Sequence, residues 1–220
     1  RMKLNQTAPV TEGQRIASLD VLRGFALLGI LVMNIQTFAM PVAAYGNPTA
    51  YGDLQGINLW VWQLGYLFFD LKFMTLFSML FGAGVLLFID RATARGASAG
   101  KLHYRRSGWL ILFGLLHAHL LWYGDILYSY AMCGFVIALM RNWRPRTLCI
   151  LGGLAMCIPI AITQLLAWTM QWWPPEAMVE IAAAADLQSA QNVAEIAAYS
   201  GSYADEFSHR TVLSLTMQLF

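Results

Sequence analysis

Three ionisable side chains, His117, His119 and Asp125, lie inside one apolar stretch, LLHAHLLWYGDILYSY at residues 115–130. Ionisable groups are costly inside a bilayer, where they are usually paired or functional. Histidine titrates near physiological pH, so an imidazole held beside a carboxylate can accept a proton from a substrate. The stretch therefore predicts a site of proton transfer within a membrane.

The spacing of these residues allows His117 and Asp125 to act together and places His119 on a different side of the helix. In a helix that begins near Gly108, His117 lies about 13 Å along the axis, close to the middle of a bilayer. His119 is two residues further, about 200° around the helix, and faces another side. Asp125 follows at the tip of a helical hairpin, where it can cap the next helix or orient His117. A neutral, hydrogen-bonded His117 without a catalytic role is the alternative.

A second group of polar residues shares one face of the first apolar segment, SLDVLRGFALLGILVMN. Asp20 and Arg23 are three residues apart, a spacing that favours an ion pair on a helix. Asn34 is eleven residues beyond Arg23, so it returns to the same face about 16 Å further along. Arg23 reaching towards the headgroups beside Asp20 is the simpler interpretation of the charges, but it leaves Asn34 unexplained. We expect this face and His117 to border one polar cavity.

Other ligand classes find little support in the sequence. No His-x-x-x-His or His–Cys pair has the spacing of a metal site. The three cysteines, Cys133, Cys149 and Cys157, lie in apolar stretches and predict small buried side chains. No basic stripe with interleaved aromatic residues indicates nucleic acid. We therefore expect neither a metal nor a nucleic acid as a partner.

The elements that carry these residues are predicted to cross a lipid bilayer. Of the 220 residues, 58% are hydrophobic and 12% are charged, whereas about a quarter of a soluble domain is charged. The mean hydropathy is +0.54. Several apolar runs also have the length of a membrane span. The fold class is therefore predicted to be all-α, a polytopic transmembrane helix bundle.

The predicted bundle has five spans and the start of a sixth. The spans are residues 19–40, 72–90, 108–123, 126–140 and 148–172, within a transmembrane domain at 19–172, and 211–220 begins a further helix in a chain that we expect to continue. Residues 57–70 are too short to span and rich in Trp and Tyr, which predicts an interfacial helix. The acidic residues 173–210 predict a helical segment outside the membrane.

The basic loops predict the orientation. Short cytoplasmic loops carry an excess of Lys and Arg, and residues 91–106 and 141–146 are the basic loops here. This orientation places the N-terminal segment 1–18 in the cytoplasm. Residues 41–56 and the acidic segment 173–210 then lie on the other side.

Three tracts of the sequence resemble the YeiB-like family of bacterial inner-membrane proteins. They are SLDVLRGFALLGILVMNIQTF, KFMTLFSMLFGAGV and GLLHAHLLWYGDILYSYAMCGFVIALM, which together cover most of residues 15–145. That family is similar in turn to a wider set of transmembrane acyltransferases, the heparan-glucosaminide acetyltransferase-like proteins and the bacterial enzymes that acylate sugars and envelope polymers. The shared feature is L-D-x-x-R-G with a polar residue eleven positions after the Arg, which here comprises Leu19, Asp20, Arg23, Gly24 and Asn34.

The resemblance implies acyl transfer from cytoplasmic acyl-CoA to a small-molecule or glycan acceptor outside the cytoplasm. In the sugar acyltransferases a catalytic His usually occupies the position of Asn34. In the lysosomal acetyltransferase that position is also Asn, and the catalytic His follows in the next loop, but residues 41–56 contain no His. The expected base is therefore His117, oriented by Asp125, with Asn34 as a donor to the developing oxyanion.

The resemblance also implies an anion site for acyl-CoA on the cytoplasmic side. The residues expected there are Arg23, Lys72, Arg105 and Arg106. A transporter or permease for a small molecule is the alternative function, because buried ionisable groups and short helices also line transport pathways. A scaffold without a site of its own is a third interpretation. Assembly into a homo-oligomer stays open.

Overall fold

The structure, a computed structural model, describes residues 15–49, 52–184, 186 and 188–219. Most of the predicted cytoplasmic segment 1–18, two residues of the predicted loop 41–56, two of the predicted acidic segment 173–210, and Phe220 lie outside these ranges. Within them the regular structure is helical, so the all-α prediction is confirmed.

Ten α-helices follow one another in the described part of the chain. They are α1 (Ala17–Ala39), α2 (Val42–Gly46), α3 (Ile57–Phe68), α4 (Lys72–Ala94), α5 (Ala99–Leu120), α6 (Leu127–Met140), α7 (Pro145–Thr169), α8 (Pro175–Ala184), α9 (Ala190–Ser200) and α10 (Tyr203–Leu219), with a 3-10 turn at Met170–Trp172 after α7.

Three stretches have the length and composition of a membrane span: Ala17–Ala39, Ile57–Ala94 and Pro145–Trp172. The second joins α3 to α4 through a short turn in which Leu71 has a φ of 59°. The shorter helix α6 is also apolar, with 14 residues. The chain is thus a membrane protein by its helices, whereas the count of five spans and the interfacial position of α3 stay predictions.

Four helices pack together as an antiparallel bundle. α4 lies against α1, where Phe73 contacts Phe25 at a ring distance of 5.3 Å and covers Gly29. The α5–α6 hairpin lies against α4, where Ser78 and Tyr130 share a hydrogen bond of 2.7 Å. We call the end at which α1 and α5 begin the basic end, and the opposite end, which contains the α5–α6 turn at 121–126, the hairpin end.

The predicted acidic segment 173–210 is more structured than expected. It contains α8, α9 and the start of α10, which begins at Tyr203 rather than at residue 211. α10 then packs along α5, where the Ser214 hydroxyl donates a 2.8 Å hydrogen bond to the Ala118 carbonyl oxygen. The helix that was expected to begin at residue 211 thus starts eight residues earlier, with Asp205 and Glu206 in its first turn, where acids favour a helix N-terminus.

Candidate functional site

His117 and Asp125 meet at the hairpin end of the bundle. His117 lies in the last turn of α5, and Asp125 lies in the turn that leads to α6. The His117 Nδ1 atom is 2.9 Å from Asp125 Oδ2, with side chains 37% and 3% exposed. The other oxygen, Oδ1, accepts a hydrogen bond from the Tyr128 backbone N–H at 3.0 Å. One carboxylate therefore caps α6 and orients the imidazole, so the two roles considered for Asp125 coexist.

This contact determines which imidazole nitrogen is available for chemistry. When Asp125 is ionised it accepts only, so a neutral His117 carries its proton on Nδ1. The lone pair of Nε2 is then free, and Nε2 has no hydrogen-bond partner among the described residues. A carboxylate that holds the Nδ1–H of a histidine is the arrangement of an oriented general base.

Gly114 allows the hairpin to close around this pair. A Cβ added to Gly114 would lie 2.5 Å from the Tyr128 backbone nitrogen and 2.9 Å from Asp125 Oδ1. Both distances are too short for a side chain, so only glycine lets the first turn of α6 approach α5 this closely. The first glycine in GLLHAHLLWYGD, Gly114, is therefore a structural requirement of the site.

The position predicted for His117 along its helix is wrong. α5 begins at Ala99, nine residues before the expected start at Gly108, and it ends at Leu120. His117 is thus near the hairpin end of a 22-residue helix rather than near its middle. The error arose because the basic tract KLHYRR was assigned to a loop, although Lys, Arg and Leu are good helix formers.

The expected open cavity between His117 and the polar face of α1 is not what the structure shows. The Phe38 ring on α1 contacts the Trp122 ring at 4.9 Å, and Trp122 contacts the His117 ring at 6.4 Å. Asn34 is one turn before Phe38, near the same end of α1. The cavities described at the two ends of α1 include neither Asn34 nor His117 in their lining. Two aromatic rings therefore stand between α1 and the imidazole.

A cavity of about 510 Å³ lies at the basic end, between α1, α4 and α5. The predicted ion pair forms beside it, with Arg23 Nη1 3.5 Å from Asp20 Oδ1, and Arg23 Nη2 donates to the Leu80 carbonyl oxygen at 3.1 Å. Asp20 is the one acid among the described residues of the lining. The lining also contains five arginines, Arg15, Arg23, Arg91, Arg95 and Arg106. We call them the arginine cluster.

The charges of the arginine cluster repel one another. Burial lowers the pKa of Arg106, which precedes the predicted span, and the positive charge of Arg23 lowers it further. A Cβ on Gly84 would overlap the guanidinium of Arg23, so this glycine provides the room that Arg23 occupies. An anion placed between these side chains would relieve the repulsion and could accept several charge-assisted hydrogen bonds.

Two of the four predicted anion ligands line this cavity, namely Arg23 and Arg106. Lys72 does not join them: it begins α4 at the hairpin end, and its Nζ donates to the carbonyl oxygens of Tyr66 at 3.3 Å and Asp70 at 3.1 Å. The reason is that α4 runs antiparallel to α1, so Lys72 lies about 18 Å along the axis from Gly84. Arg105 is also absent from the lining, because neighbouring residues of a helix point about 100° apart.

A second cavity, of about 310 Å³, lies at the hairpin end between the last turn of α1 and α9. Glu195 and Tyr123 line it and are both buried, with 6% and 7% of their surfaces exposed. Sequence reasoning missed these residues because they are distant along the chain and follow no motif.

Arg210 links α10 to the turn that carries the imidazole. It is 2% exposed, and its Nε and Nη1 donate to the carbonyl oxygens of His119 at 3.0 Å and Leu121 at 2.9 Å. Nη1 also pairs with Glu206 at 2.6 Å. A cation bound to the last carbonyls of a helix satisfies groups that have no partner within the helix. Arg210 therefore fixes the end of α5.

Comparisons with known proteins give relatives whose names assign no activity. The chain is 35% identical over 177 residues to the uncharacterized protein YxaH of Bacillus subtilis (strain 168), which covers 77% of the chain and 44% of YxaH. It is 34% identical over 171 residues to the uncharacterized protein YeiB of Escherichia coli (strain K12), which covers 74% of the chain and 43% of YeiB.

A protein of Bacillus acidopullulyticus, described as an uncharacterized 39.9 kDa protein in the amylase 3' region, is 37% identical over 129 residues, or 59% of the chain and 35% of that protein. The chain thus spans less than half the length of these relatives. No protein-family model matches the chain, and no solved structure matches it significantly.

Proposed function

Because these relatives support a YeiB-like family for this membrane protein, we propose that it transfers an acyl group from cytoplasmic acyl-CoA to an acceptor on the other side of a bacterial inner membrane. The observation that carries the proposal is the His117–Asp125 pair, in which Nδ1 is held and Nε2 is free. The N-terminus and the basic end would face the cytoplasm.

The arginine cluster would hold the donor. Guanidinium groups bind phosphate through two parallel hydrogen bonds, and coenzyme A carries phosphates at one end and its thioester at the other. Between Arg23 and Phe38 the axis of α1 rises about 22 Å, a distance comparable to the extended arm of coenzyme A. The donor would thus lie along α1, with its phosphates at the basic end and its thioester towards the hairpin end.

His117 would act as the general base. Nε2 accepts the proton of the acceptor hydroxyl or amine as its oxygen or nitrogen bonds to the thioester carbonyl carbon. When the carbon–sulfur bond breaks, the imidazolium returns this proton to the leaving thiolate, so the products are the acylated acceptor and free coenzyme A. Asp125 stabilises the imidazolium between these steps.

Asn34 would stabilise the charge that develops on the carbonyl oxygen. Its amide is a hydrogen-bond donor near the same end of α1. Since Phe38 and Trp122 lie between α1 and His117, the proposal requires Trp122 to move when both substrates bind.

Transport without covalent chemistry is the second candidate. It is favoured by one arrangement, the two cavities at opposite ends of α1, of which the one at the hairpin end is lined by Phe38, whose ring packs against Trp122. In this account the rings would form the closed gate of a passage.

A binding and turnover experiment on the full chain separates the two candidates. We expect purified protein to bind labelled acetyl-CoA and to release free coenzyme A when an acceptor is present. Arg106→Gln should weaken binding about tenfold, the value of one charge-assisted hydrogen bond. Arg105→Gln, one residue away and outside the cavity lining, is the matched control. Lack of acetyl-CoA binding, together with flux of a labelled solute into vesicles, would favour transport instead.

A further inference from the structure

The cavity at the hairpin end extends towards the imidazole. Its described lining includes Thr37, Phe38, Tyr123, Glu195 and Tyr199. An adjoining cavity of about 250 Å³ shares four of these residues and is also lined by Trp122. Trp122 is the ring that contacts His117. The two cavities together therefore lead from α9 to the side chain next to the candidate base.

Glu195 gives this cavity a buried negative charge. One oxygen, Oε1, accepts a hydrogen bond from the Val42 backbone N–H at 3.0 Å, and the other has no hydrogen-bond partner within the described ranges. No Lys, Arg or His is among the described residues of the lining. A buried carboxylate without a cation is costly unless a ligand compensates it. The carboxylate of Glu195 is thus not balanced by a positive charge among the described residues of the lining.

Tyr123 adds an unused polar group. More than nine-tenths of the residue is buried, and its hydroxyl has no hydrogen-bond partner among the described residues. The Thr37 hydroxyl lies beside it and donates its own proton to the Asn34 carbonyl oxygen at 2.8 Å, so towards Tyr123 it can only accept, and the lone pairs of the Tyr123 oxygen stay unused. A buried hydroxyl without a partner costs about 1–3 kcal/mol, so a ligand that hydrogen-bonds to Tyr123 would recover this free energy.

The aromatic rings of the lining suit a cation. Phe38 and Tyr199 line the cavity together with Glu195, and aromatic ring faces attract ammonium groups. Burial raises the pKa of Tyr199, Arg210 lowers it, and Glu195 and Glu206 raise it again. With its pKa above the ordinary value the phenol of Tyr199 stays neutral, so it does not supply a competing negative charge.

We propose that this cavity binds a small organic ammonium ion, held by the carboxylate of Glu195 and the hydroxyl of Tyr123. If the acyl transfer proposed above is correct, the ion is the acceptor amine before it gives its extra proton to water; His117 then takes a second proton as the nitrogen bonds to the thioester carbon. That identification rests on the proposed function, whereas the binding site itself does not.

The test compares two probes that differ in one group. Ethanolamine carries an ammonium group, and ethylene glycol is its neutral analogue. Saturation-transfer NMR on the full chain in detergent, in phosphate buffer because Tris is itself an ammonium ion, should show ethanolamine bound and ethylene glycol unbound. Glu195→Gln should weaken ethanolamine about tenfold or more, since it removes a charge-assisted hydrogen bond. Tyr123→Phe should weaken it less.

The variants are chosen so that unfolding does not imitate a loss of binding. A glutamine at position 195 keeps an oxygen for the Val42 N–H, and unchanged thermal unfolding would verify that the fold is retained. Glu180→Gln changes an exposed acid of α8 and should leave ethanolamine binding intact.

Three results would overturn the inference: equal signals from both probes, no ethanolamine signal from the wild type, or wild-type affinity in Glu195→Gln. Loss of ethanolamine binding in Glu195→Gln supports the inference even if no variant transfers an acyl group, and in that case only the proposed function fails. Acyl transfer that is unaffected by Glu195→Gln leaves the proposed function standing and removes the ammonium site as its acceptor site.

Discussion

His117 Nδ1 and Asp125 Oδ2 are 2.9 Å apart across the turn that joins α5 to α6. The same carboxylate caps α6 through the Tyr128 backbone N–H. The fold of the hairpin and the orientation of the imidazole therefore depend on one side chain. Substitutions at the hairpin should separate these two roles.

Asp125→Asn and Asp125→Ala should both lose acyl transfer, but their stabilities should differ. Asn retains an oxygen for the Tyr128 N–H, whereas Ala loses the cap, which is worth about 1 kcal/mol. Both remove the carboxylate that fixes the Nδ1 proton of His117, so acyl transfer should fall by about 10²-fold or more in each. Thermal unfolding in detergent measures the first effect and acyl transfer the second. Equal stability loss in both variants would show that Asp125 is not a cap.

Gly114→Ala should open the hairpin. The added methyl group would meet the Tyr128 backbone and Asp125 Oδ1, and such overpacking costs about 1–3 kcal/mol. Gly108→Ala is the control, because a Cβ there meets no atom within 4 Å and Ala is the better helix former by about 1 kcal/mol. Thermal unfolding should show opposite signs for the two variants, and a stable Gly114→Ala protein would contradict the close approach of α6.

Gly84→Ala should disturb the arginine cluster without removing a charge. The new methyl group would take the place of the Arg23 guanidinium, which must then leave the Leu80 carbonyl oxygen. Calorimetric titration with inorganic pyrophosphate should show binding weakened by up to about tenfold, one charge-assisted contact. Gly82→Ala, where the added atom meets nothing within 4 Å, should bind pyrophosphate like the wild type. Equal affinities in the two variants would refute the role of Arg23.

Arg210→Met should loosen the end of α5. The guanidinium makes hydrogen bonds to two carbonyl oxygens and to Glu206, and losing hydrogen bonds to a charged group costs about 1.5–3 kcal/mol. Arg141→Met is the control: Arg141 is exposed, and its side chain bonds only to Asn142 among the described contacts. Differential scanning fluorimetry should show a lower melting temperature for the Arg210 variant alone. Equal melting temperatures would mean that α10 does not hold α5.

Local sequence rules predicted several of the helices and turns that form the bundle. The hydrophobic run before Pro41 became α1, and Gly124–Asp125 marked the turn between α5 and α6. Asp125 was expected to orient His117, and the two side chains meet because the turn brings the end of one helix back to the start of the next; their roles in catalysis stay predictions. Asp20 and Arg23 pair because three residues is nearly one helical turn.

Contacts between distant segments were not predictable from the same rules. Glu195 is 153 positions from Val42, and Arg210 is 91 from His119, so no periodicity indicates that they meet. The packing of aromatic rings between α1 and His117 was not predicted for a related reason. Phe38 and Trp122 are distant along the chain, and only tertiary packing brings them together.

The most direct test of the account is the transfer of labelled acetyl from acetyl-CoA by the full chain carrying His117→Gln or His119→Gln. The two residues lie on the same turn of α5, but only His117 contacts Asp125. We predict that His117→Gln lowers the rate about 10²-fold or more, the usual contribution of a general base, and that His119→Gln stays near the wild-type rate. A His117→Gln protein that transfers acetyl at the wild-type rate would contradict the central claim that this imidazole is the base.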